Sequence, residues 1–160
     1  MPEPIPARDV PVPSDALALS TLARIDYANA VLVEIAPAWD QSAEHWARAV
    51  LEGAPADMRH ALTSGWSALG LQLGSTESDR FVLGWTVRHA TADHILLGAD
   101  SPIGLRGELL FQRRPHALVF ASFIQHDTDD ARAMWDGVKE IHPQVMRQLV
   151  DAAVSRALTS

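Results

Sequence analysis

The stretch PIGLRGELLFQRRPHALVFASFIQHD (residues 102–127) decides the fold class. Two segments rich in aliphatic and aromatic residues flank the polar QRRPH, a pattern typical of two long antiparallel strands joined by a tight turn. We predict strands over residues 103–112 and 116–126. Strands of about ten residues span roughly 33 Å, and sheets built from strands of that length twist and curve.

One face of this hairpin is predicted to be buried. A turn centred on Arg114 and Pro115 pairs residues whose numbers add up to 229, so that Phe111 lies opposite Leu118. Because side chains alternate along a strand, every second residue points to the same face. That face then carries Leu105, Gly107, Leu109, Phe111, Leu118, Phe120, Ser122 and Ile124, with His126 at its end.

The other face of the hairpin alternates between polar and apolar residues, and we predict that it faces solvent. Its polar members include Arg106, Glu108 and Gln112. An apolar patch of Leu110, Val119 and Phe123 remains on this face, which is more than a monomer needs to expose. A homodimer through this patch is therefore one prediction.

Further elements precede and follow the hairpin. Segments 26–35, 81–89 and 94–100 are predicted strands. DQSAEHWARAVLEG is a predicted helix capped by Asp40 or Ser42, and APADMRHALTSGWSALGL is a second one with Pro55 in its first turn. An apolar stripe at helical spacing from about residue 128 predicts one long terminal helix, which Pro143 should kink or break.

This order of elements predicts an α+β fold. A curved antiparallel β-sheet would wrap around the long C-terminal α-helix, with two shorter helices after the first predicted strand. Five of the ten prolines fall within the first 13 residues, so we predict a proline-rich N-terminal arm over residues 1–22 and a single domain over residues 23–160. The arm lies either on this domain, on a partner, or free.

Composition argues against several classes of function. The 160 residues contain no cysteine, which removes disulfides, thiol nucleophiles and cysteine-bound metals. The net charge is −7 and the bases are scattered, so no nucleic-acid partner is expected. No apolar run approaches the roughly 18 residues of a membrane span. The N-terminus lacks the pattern of a secretory signal, and a cytoplasmic location is expected.

Three segments carry a resemblance to a known family: DYANAVLVEI (26–35), HILLGADS (94–101) and HPQVMRQLVDAAVSRAL (142–158). They resemble an uncharacterised bacterial branch of the START-like (SRPBCC) superfamily, which includes lipid-transfer domains and polyketide cyclases. The resemblance covers about residues 26–158. It implies the helix-grip fold and a cavity between sheet and C-terminal helix that binds a small hydrophobic or amphipathic molecule.

The predicted lining of that cavity comes from the apolar hairpin face and from the terminal helix. It consists of Leu105, Leu109, Phe111, Phe120, Ser122, Ile124, Trp135 and His142. We predict no catalytic residue, no cofactor and no metal ligand. His89 and His94 are five residues apart, which would place them on opposite faces if the segment were extended, and a turn is expected between them; a metal site is disfavoured.

Two alternative functions remain open. The first is a polyketide cyclase or dehydratase-type enzyme on the same scaffold, for which Ser122, His126 and His142 are the candidate polar groups. Ser122 and His126 are roughly 13 Å apart along a strand, too far for a nucleophile and its base to touch. The second is a homodimeric interaction module that binds no ligand.

Overall fold

The computed structural model describes residues 5–35, 41–75 and 77–159. Within these ranges the chain forms seven strands and five helices. In chain order they are β1 (Arg8–Val10), α1 (Ser14–Leu17), β2 (Tyr27–Glu34), α2 (Ala43–Leu51), α3 (Ala56–Ala68), β3 (Phe81–Val82), β4 (Trp85–Ala90), β5 (His94–Asp100), β6 (Leu105–Arg114), β7 (Ala117–His126), α4 (Asp129–Asp136) and α5 (His142–Thr159).

All strands belong to one open, curved antiparallel sheet in the order β1-β2-β7-β6-β5-β4-β3. The predicted α+β class is therefore confirmed. Hairpin connections join each strand from β3 to β6 to the strand that follows it. β2, in contrast, pairs with β7 although the two strands are far apart in the sequence: Tyr27 lies opposite Ile124 and Glu34 opposite Ala117. This pairing brings the strand predicted to be first against the last strand and makes them the second and third strands from the edge that β1 forms.

The hairpin of β6 and β7 forms as predicted, but its register differs by two residues. Leu109 pairs with Ser122 and Phe111 with Phe120, because the turn is the two-residue loop Pro115-His116. Proline fixes φ at the first loop position, and His116 adopts a φ of 67° at the second, as in a type II turn. A shift of two residues preserves the side-chain alternation, so the faces are as predicted.

Most of the outer face of the hairpin is buried, although Arg106 at its end is exposed, so the prediction that this face is turned to solvent is wrong for its apolar patch and for Glu108. Leu110, Val119 and Phe123 have no exposed surface. The N-terminal segment covers them: β1 extends the sheet beside β2, and Ala16 together with apolar residues between Val10 and Ile25 packs over the patch. The patch that motivated the predicted homodimer is therefore an intramolecular contact.

Glu108 shows why a polar residue tolerates this burial. Its carboxylate is inaccessible to solvent, and it accepts hydrogen bonds from Ser20 Oγ at 2.6 Å, from the backbone and side chain of Thr21, and from Arg88 Nη1 at 3.0 Å. Arg88 reaches Glu108 by crossing over Gly98 of β5, where any Cβ would collide with the guanidinium. A buried carboxylate is stable only when it is paired and hydrogen-bonded in this way.

The inner face of the sheet carries the main core, which α2 and α5 cover. The Ser42 side chain caps α2 by accepting a hydrogen bond from the amide of His45. Asp40, the alternative predicted cap, lies outside the described residues. Trp46 and Leu51 of α2 pack with Leu149 and Val154 of α5 in one apolar cluster.

The predicted long terminal helix is two helices. The stretch between Asp136 and His142 forms turns, and Pro143 is the second residue of α5. A proline at this position is favourable because an amide in the first turn has no intrahelical acceptor. No helix among the described residues is long and apolar enough to cross a membrane.

Candidate functional site

A cavity of about 350 Å³ lies between the inner face of the sheet and the helices, at the end of the β6–β7 hairpin far from its turn. Apolar side chains form nearly all of its wall. The residues that line it are Met58, Ala61, Leu62, Gly65, Trp66, Leu69, Leu71, Trp85, Leu105, Gly107, Glu108, Leu109, Ser122, Ile124, Trp135, Val138, Ile141, His142, Val145, Gln148 and Leu149.

The cavity exists because α2 and α3 cover the sheet differently. Near the turn of the hairpin, α2 presses Trp46 and Leu51 into the core, and both are almost completely buried. Farther along, α3 has no buried residue, although its apolar stripe packs against the core. Met58, Leu62 and Trp66 of this stripe form one wall of the cavity. The helix α3 therefore covers the cavity without filling it.

The segment between α4 and α5, with the residues beside it, forms another part of the wall. Trp135 lies at the end of α4, Val138 and Ile141 lie in the connecting turns, and His142 begins α5. Ile141 is 57% exposed while it also lines the cavity. An apolar side chain in this position marks the rim where the cavity meets solvent.

Six of the eight residues predicted to line the cavity do so: Leu105, Leu109, Ser122, Ile124, Trp135 and His142. Phe111 and Phe120 do not belong to its lining. Their rings stack with centroids 4.3 Å apart, inside the part of the core near the turn that α2 covers. Sequence alone did not show where along the hairpin the cover by α2 ends.

The contribution of α3 was not predicted, although its signal was present. Met58, Leu62, Trp66 and Leu69 recur at helical spacing, and no partner was assigned to the face they form. Tyr27 at the start of β2 was also missed. It contacts Trp135 edge to face at 5.1 Å between ring centroids and lies 6.4 Å from the ring of His142.

A Ser–His pair lies in the wall of the cavity, and the exposed Gln148 is a further polar residue of the lining. Nε2 of His142 lies 2.9 Å from Oγ of Ser122. Ser122 is in the middle of β7 and has no exposed surface, whereas His142 is half-buried. The residues are 20 positions apart in the chain, and the break before α5 brings them together. Trp135 contacts the imidazole edge to face, with ring centroids 5.0 Å apart.

Burial lowers the pKa of His142 from its ordinary value of 6.5 to about 4. The cause is loss of hydration of the charged imidazolium in an apolar surrounding. His142 keeps some accessible surface because it borders the cavity, but no carboxylate of the described chain contacts it. The imidazole is therefore neutral near pH 7, and it acts there as a hydrogen-bonding group without charge.

The pair lacks the other parts of a nucleophilic site. A serine nucleophile needs a base oriented by a third group and amide donors that stabilise an oxyanion. In the described part of the chain no acidic group orients His142. Ser122 lies within a continuous strand that pairs with both β2 and β6, so the neighbouring amides belong to the sheet ladders. This geometry favours the orientation of a ligand over acyl transfer.

The other histidines lie elsewhere. His126 is at the end of β7, with Nδ1 3.6 Å from a carboxylate oxygen of Asp26, and it does not line the cavity. His89 and His94 contact each other, with Nδ1 of the first 2.8 Å from Nε2 of the second, because the chain turns between β4 and β5 and the segment is not continuously extended. A β-bulge between Val87 and His89 shifts the register of β4. The described residues contain no group of three or more acidic or histidine side chains arranged for a metal ion.

Buried polar atoms without partners lie close to the cavity. The indole nitrogens of Trp85 and Trp135 and Oδ1 of Asn29 are inaccessible and make no hydrogen bond within the described chain. Both tryptophans line the cavity through other atoms of their rings. Because their N–H groups are shielded, they do not provide donors to a molecule in the cavity.

Comparison with known proteins leaves the family of this chain open. No protein-family model matches the sequence, and no curated protein matches it.

Proposed function

We propose that this chain is a START-like helix-grip protein that binds a small, largely apolar molecule in the cavity between its sheet and its helices. The observation that carries the proposal is the cavity itself: about 350 Å³ of open space with an apolar wall and one buried Ser122–His142 pair. Small-molecule sites typically have such apolar walls with a few placed polar groups, in volumes from about 300 Å³.

The energetic cost of an empty cavity supports this proposal. An empty apolar cavity costs free energy because its lining loses packing contacts. If α3 packed more closely on the sheet, Leu62 or Trp66 would fill part of the space and reduce that cost. The break before α5 is likewise not needed to cover the core. A fold that keeps this space open is consistent with an occupant.

Native mass spectrometry of freshly purified protein tests the proposal. We expect an additional mass that is released when the same sample is denatured. Ala61→Trp places an indole at the cavity wall and should reduce the occupied fraction. Ser64→Trp makes the same change at an exposed position of α3 that does not line the cavity, so it should retain the ligand. Equal loss of ligand from both variants would contradict the proposal.

A second candidate is a cyclase or dehydratase-type enzyme on the same scaffold. The specific observation that favours it is the 2.9 Å contact between Ser122 and His142, which places a potential base in the cavity. An imidazole with a pKa of about 4 is, however, a weak base near pH 7. Screening of cyclic and linear carbonyl compounds for turnover, with His142→Gln as control, tests this candidate. Turnover that His142→Gln leaves unchanged would exclude His142 as its base.

A further inference from the structure

We infer that the molecule held in this cavity is uncharged and presents a hydrogen-bond acceptor, such as a carbonyl oxygen, to the Nδ1–H group of His142. The inference rests on the proposed function, since it names the chemical class of the ligand for the same cavity. It follows from the one polar pair in the cavity and from the protons that this pair must carry.

The hydroxyl proton of Ser122 fixes the first step. Ser122 is fully buried, and its hydroxyl has a single hydrogen-bond partner in the described chain, Nε2 of His142. Asn29 lies opposite Ser122 on β2, but its Oδ1 has no partner. If Nε2 carried a proton, the hydroxyl proton would be left without an acceptor, which costs about 1–3 kcal/mol. Ser122 therefore donates and Nε2 accepts.

The proton of the neutral imidazole then resides on Nδ1. A neutral histidine has one protonated nitrogen, and the hydrogen bond at one nitrogen determines the state of the other. Nδ1 makes no hydrogen bond to any residue that the structure describes. It is also absent from the inaccessible polar atoms that lack a partner, so it retains accessible surface. His142 lines the cavity, and Nδ1–H is its free donor.

The charge of the surroundings disfavours an anionic group inside the cavity. Among the lining residues the only charged one is Glu108. Its carboxylate is bound by Ser20, Thr21 and Arg88 on the other face of the sheet. No lysine or arginine lines the cavity, so an anionic group would lose its hydration without gaining a cation. A neutral acceptor meets the Nδ1–H donor without that cost. Gln148, the other residue of the lining with a side-chain N–H group besides the tryptophans, is exposed.

Three probes with one ring system test the inference. They are 2-acetylnaphthalene, which carries a carbonyl acceptor, 2-ethylnaphthalene, which carries no polar group, and 2-naphthoate, which is anionic. Titration at pH 7.5, followed by quenching of tryptophan fluorescence, gives each Kd. We expect the ketone to bind about three- to tenfold more tightly than the hydrocarbon, as one neutral hydrogen bond provides. The anion should bind at least about tenfold more weakly than the ketone.

Two variants of His142 distinguish the role of its Nδ1 from that of its Nε2. In His142→Gln the amide group occupies the place of Nε2, so the contact with Ser122 is kept while Nδ1 is lost. In His142→Asn the amide occupies the place of Nδ1, and the contact with Ser122 is lost. The advantage of the ketone over the hydrocarbon should disappear in His142→Gln and persist in His142→Asn. An advantage that persists in His142→Gln would overturn the inference.

The outcomes distinguish this inference from the proposed function. If none of the probes binds the wild-type protein, the proposed cavity function fails and the inference fails with it. If the hydrocarbon binds as tightly as the ketone, or if the anion binds most tightly, the cavity function stands and the inference alone is overturned. Nitrogen-15 NMR of the imidazole gives an independent check on ligand-free protein. A proton on Nε2 near pH 7 would overturn the assignment of the donor.

Discussion

At the scale of single residues, two buried polar groups on neighbouring strands are stabilised differently. Glu108 accepts hydrogen bonds from three residues in two segments, Ser20 and Thr21 of the N-terminal segment and Arg88 of β4, and its charge is compensated by Arg88. Ser122 has one partner, His142, which stays neutral because a charged ring would be poorly hydrated there. The first group holds the outer layer of the molecule together, and the second leaves one donor toward the cavity.

The depressed pKa of His142 predicts a pH dependence of stability. Its value is about 4 in the folded protein and 6.5 in its ordinary state, so between these pH values the unfolded chain binds more protons. The free energy of unfolding should therefore decrease as the pH falls from 6.5 to 4, and this contribution is fully present above pH 6.5. A pKa difference of this size corresponds to at most roughly 3 kcal/mol.

Urea unfolding at a series of pH values measures this contribution. The carboxylates of the protein also titrate at acidic pH, so the informative quantity is the difference between wild type and His142→Gln, which has no imidazole at this position. The difference in the free energy of unfolding between the two proteins should change between pH 6.5 and pH 4 and should be constant above pH 6.5. A difference that is independent of pH would mean that His142 is hydrated in the folded state.

Glu108 predicts a large effect of an isosteric change. Glu108→Gln removes the negative charge that pairs with Arg88. It also places the amide N–H₂ group of glutamine next to the donors of Ser20, Thr21 and Arg88. We expect the free energy of unfolding to decrease by roughly 3 kcal/mol, because one partner of a buried pair is left uncompensated. Glu34→Gln makes the same change at an exposed position of β2 and should cost less than about 0.5 kcal/mol. Similar urea midpoints for the two variants would contradict this account.

At the scale of secondary-structure elements, local sequence patterns predicted the type of most elements. They failed where contacts with distant segments determine the register of a strand or the burial of a face. Alternation along residues 103–126 specified both faces of the hairpin, and the stripe of α2 specified its buried side. The register depended on the conformation of His116, which nothing in the surrounding alternation indicates. Burial of the outer face depended on the N-terminal segment, which is distant in the sequence. Polar residues such as Glu108 made that face appear suited to solvent, so its burial was not predicted.

The same distinction applies to the candidate site. Ser122 and His142 were each predicted to line the cavity, but their contact could not be predicted. It depends on where the chain turns between Asp136 and His142 and on the pairing of β7 with β2. Phe111 and Phe120 were predicted to line the cavity for their apolarity alone, and that property does not distinguish a filled core from an open one.

The position of Pro143 predicts that its replacement has little effect. Pro143→Ala should lower the free energy of unfolding by less than about 1 kcal/mol, because proline restricts the unfolded chain and breaks no hydrogen bond at the second residue of α5. Ala152→Pro, in the interior of the same helix, should cost about 3 kcal/mol or more. Thermal or urea unfolding of both variants tests this. Stabilisation by Pro143→Ala of several kcal/mol would indicate a strained continuous helix.

At the scale of the whole molecule, the sheet is covered on both faces by unlike layers. The inner face supports α2, α5 and the cavity, and the outer face supports the N-terminal segment. That segment also reaches the C-terminal helix: Arg147 pairs with Asp9 at 2.7 Å, and the amide of Ala7 donates to Asp151 at 2.8 Å. The two layers therefore meet at the edge of the sheet where β1 lies.

Removal of residues 1–22 should consequently change the assembly of the protein and leave the cavity in place. It exposes Leu96, Leu110, Val119 and Phe123, and it takes Ser20 and Thr21 away from Glu108. A contiguous apolar patch of this kind promotes association, so light scattering should show dimers or larger species at concentrations where the full chain shows fewer. Removal of residues 1–4 alone serves as the control, because every contact described above is kept.

The same truncated protein also tests whether the layers are independent. Its cavity lies on the opposite face of the sheet, and none of residues 1–22 lines it. The affinity for 2-acetylnaphthalene should therefore stay within about threefold of the full chain. The free energy of unfolding should decrease, because Glu108 keeps Arg88 but loses the donors of Ser20 and Thr21, and because the apolar patch loses its cover. A monomeric truncated protein of unchanged stability would show that the outer layer is dispensable. Loss of binding in a folded truncated protein would instead show that β1 and its contacts with α5 maintain the cavity.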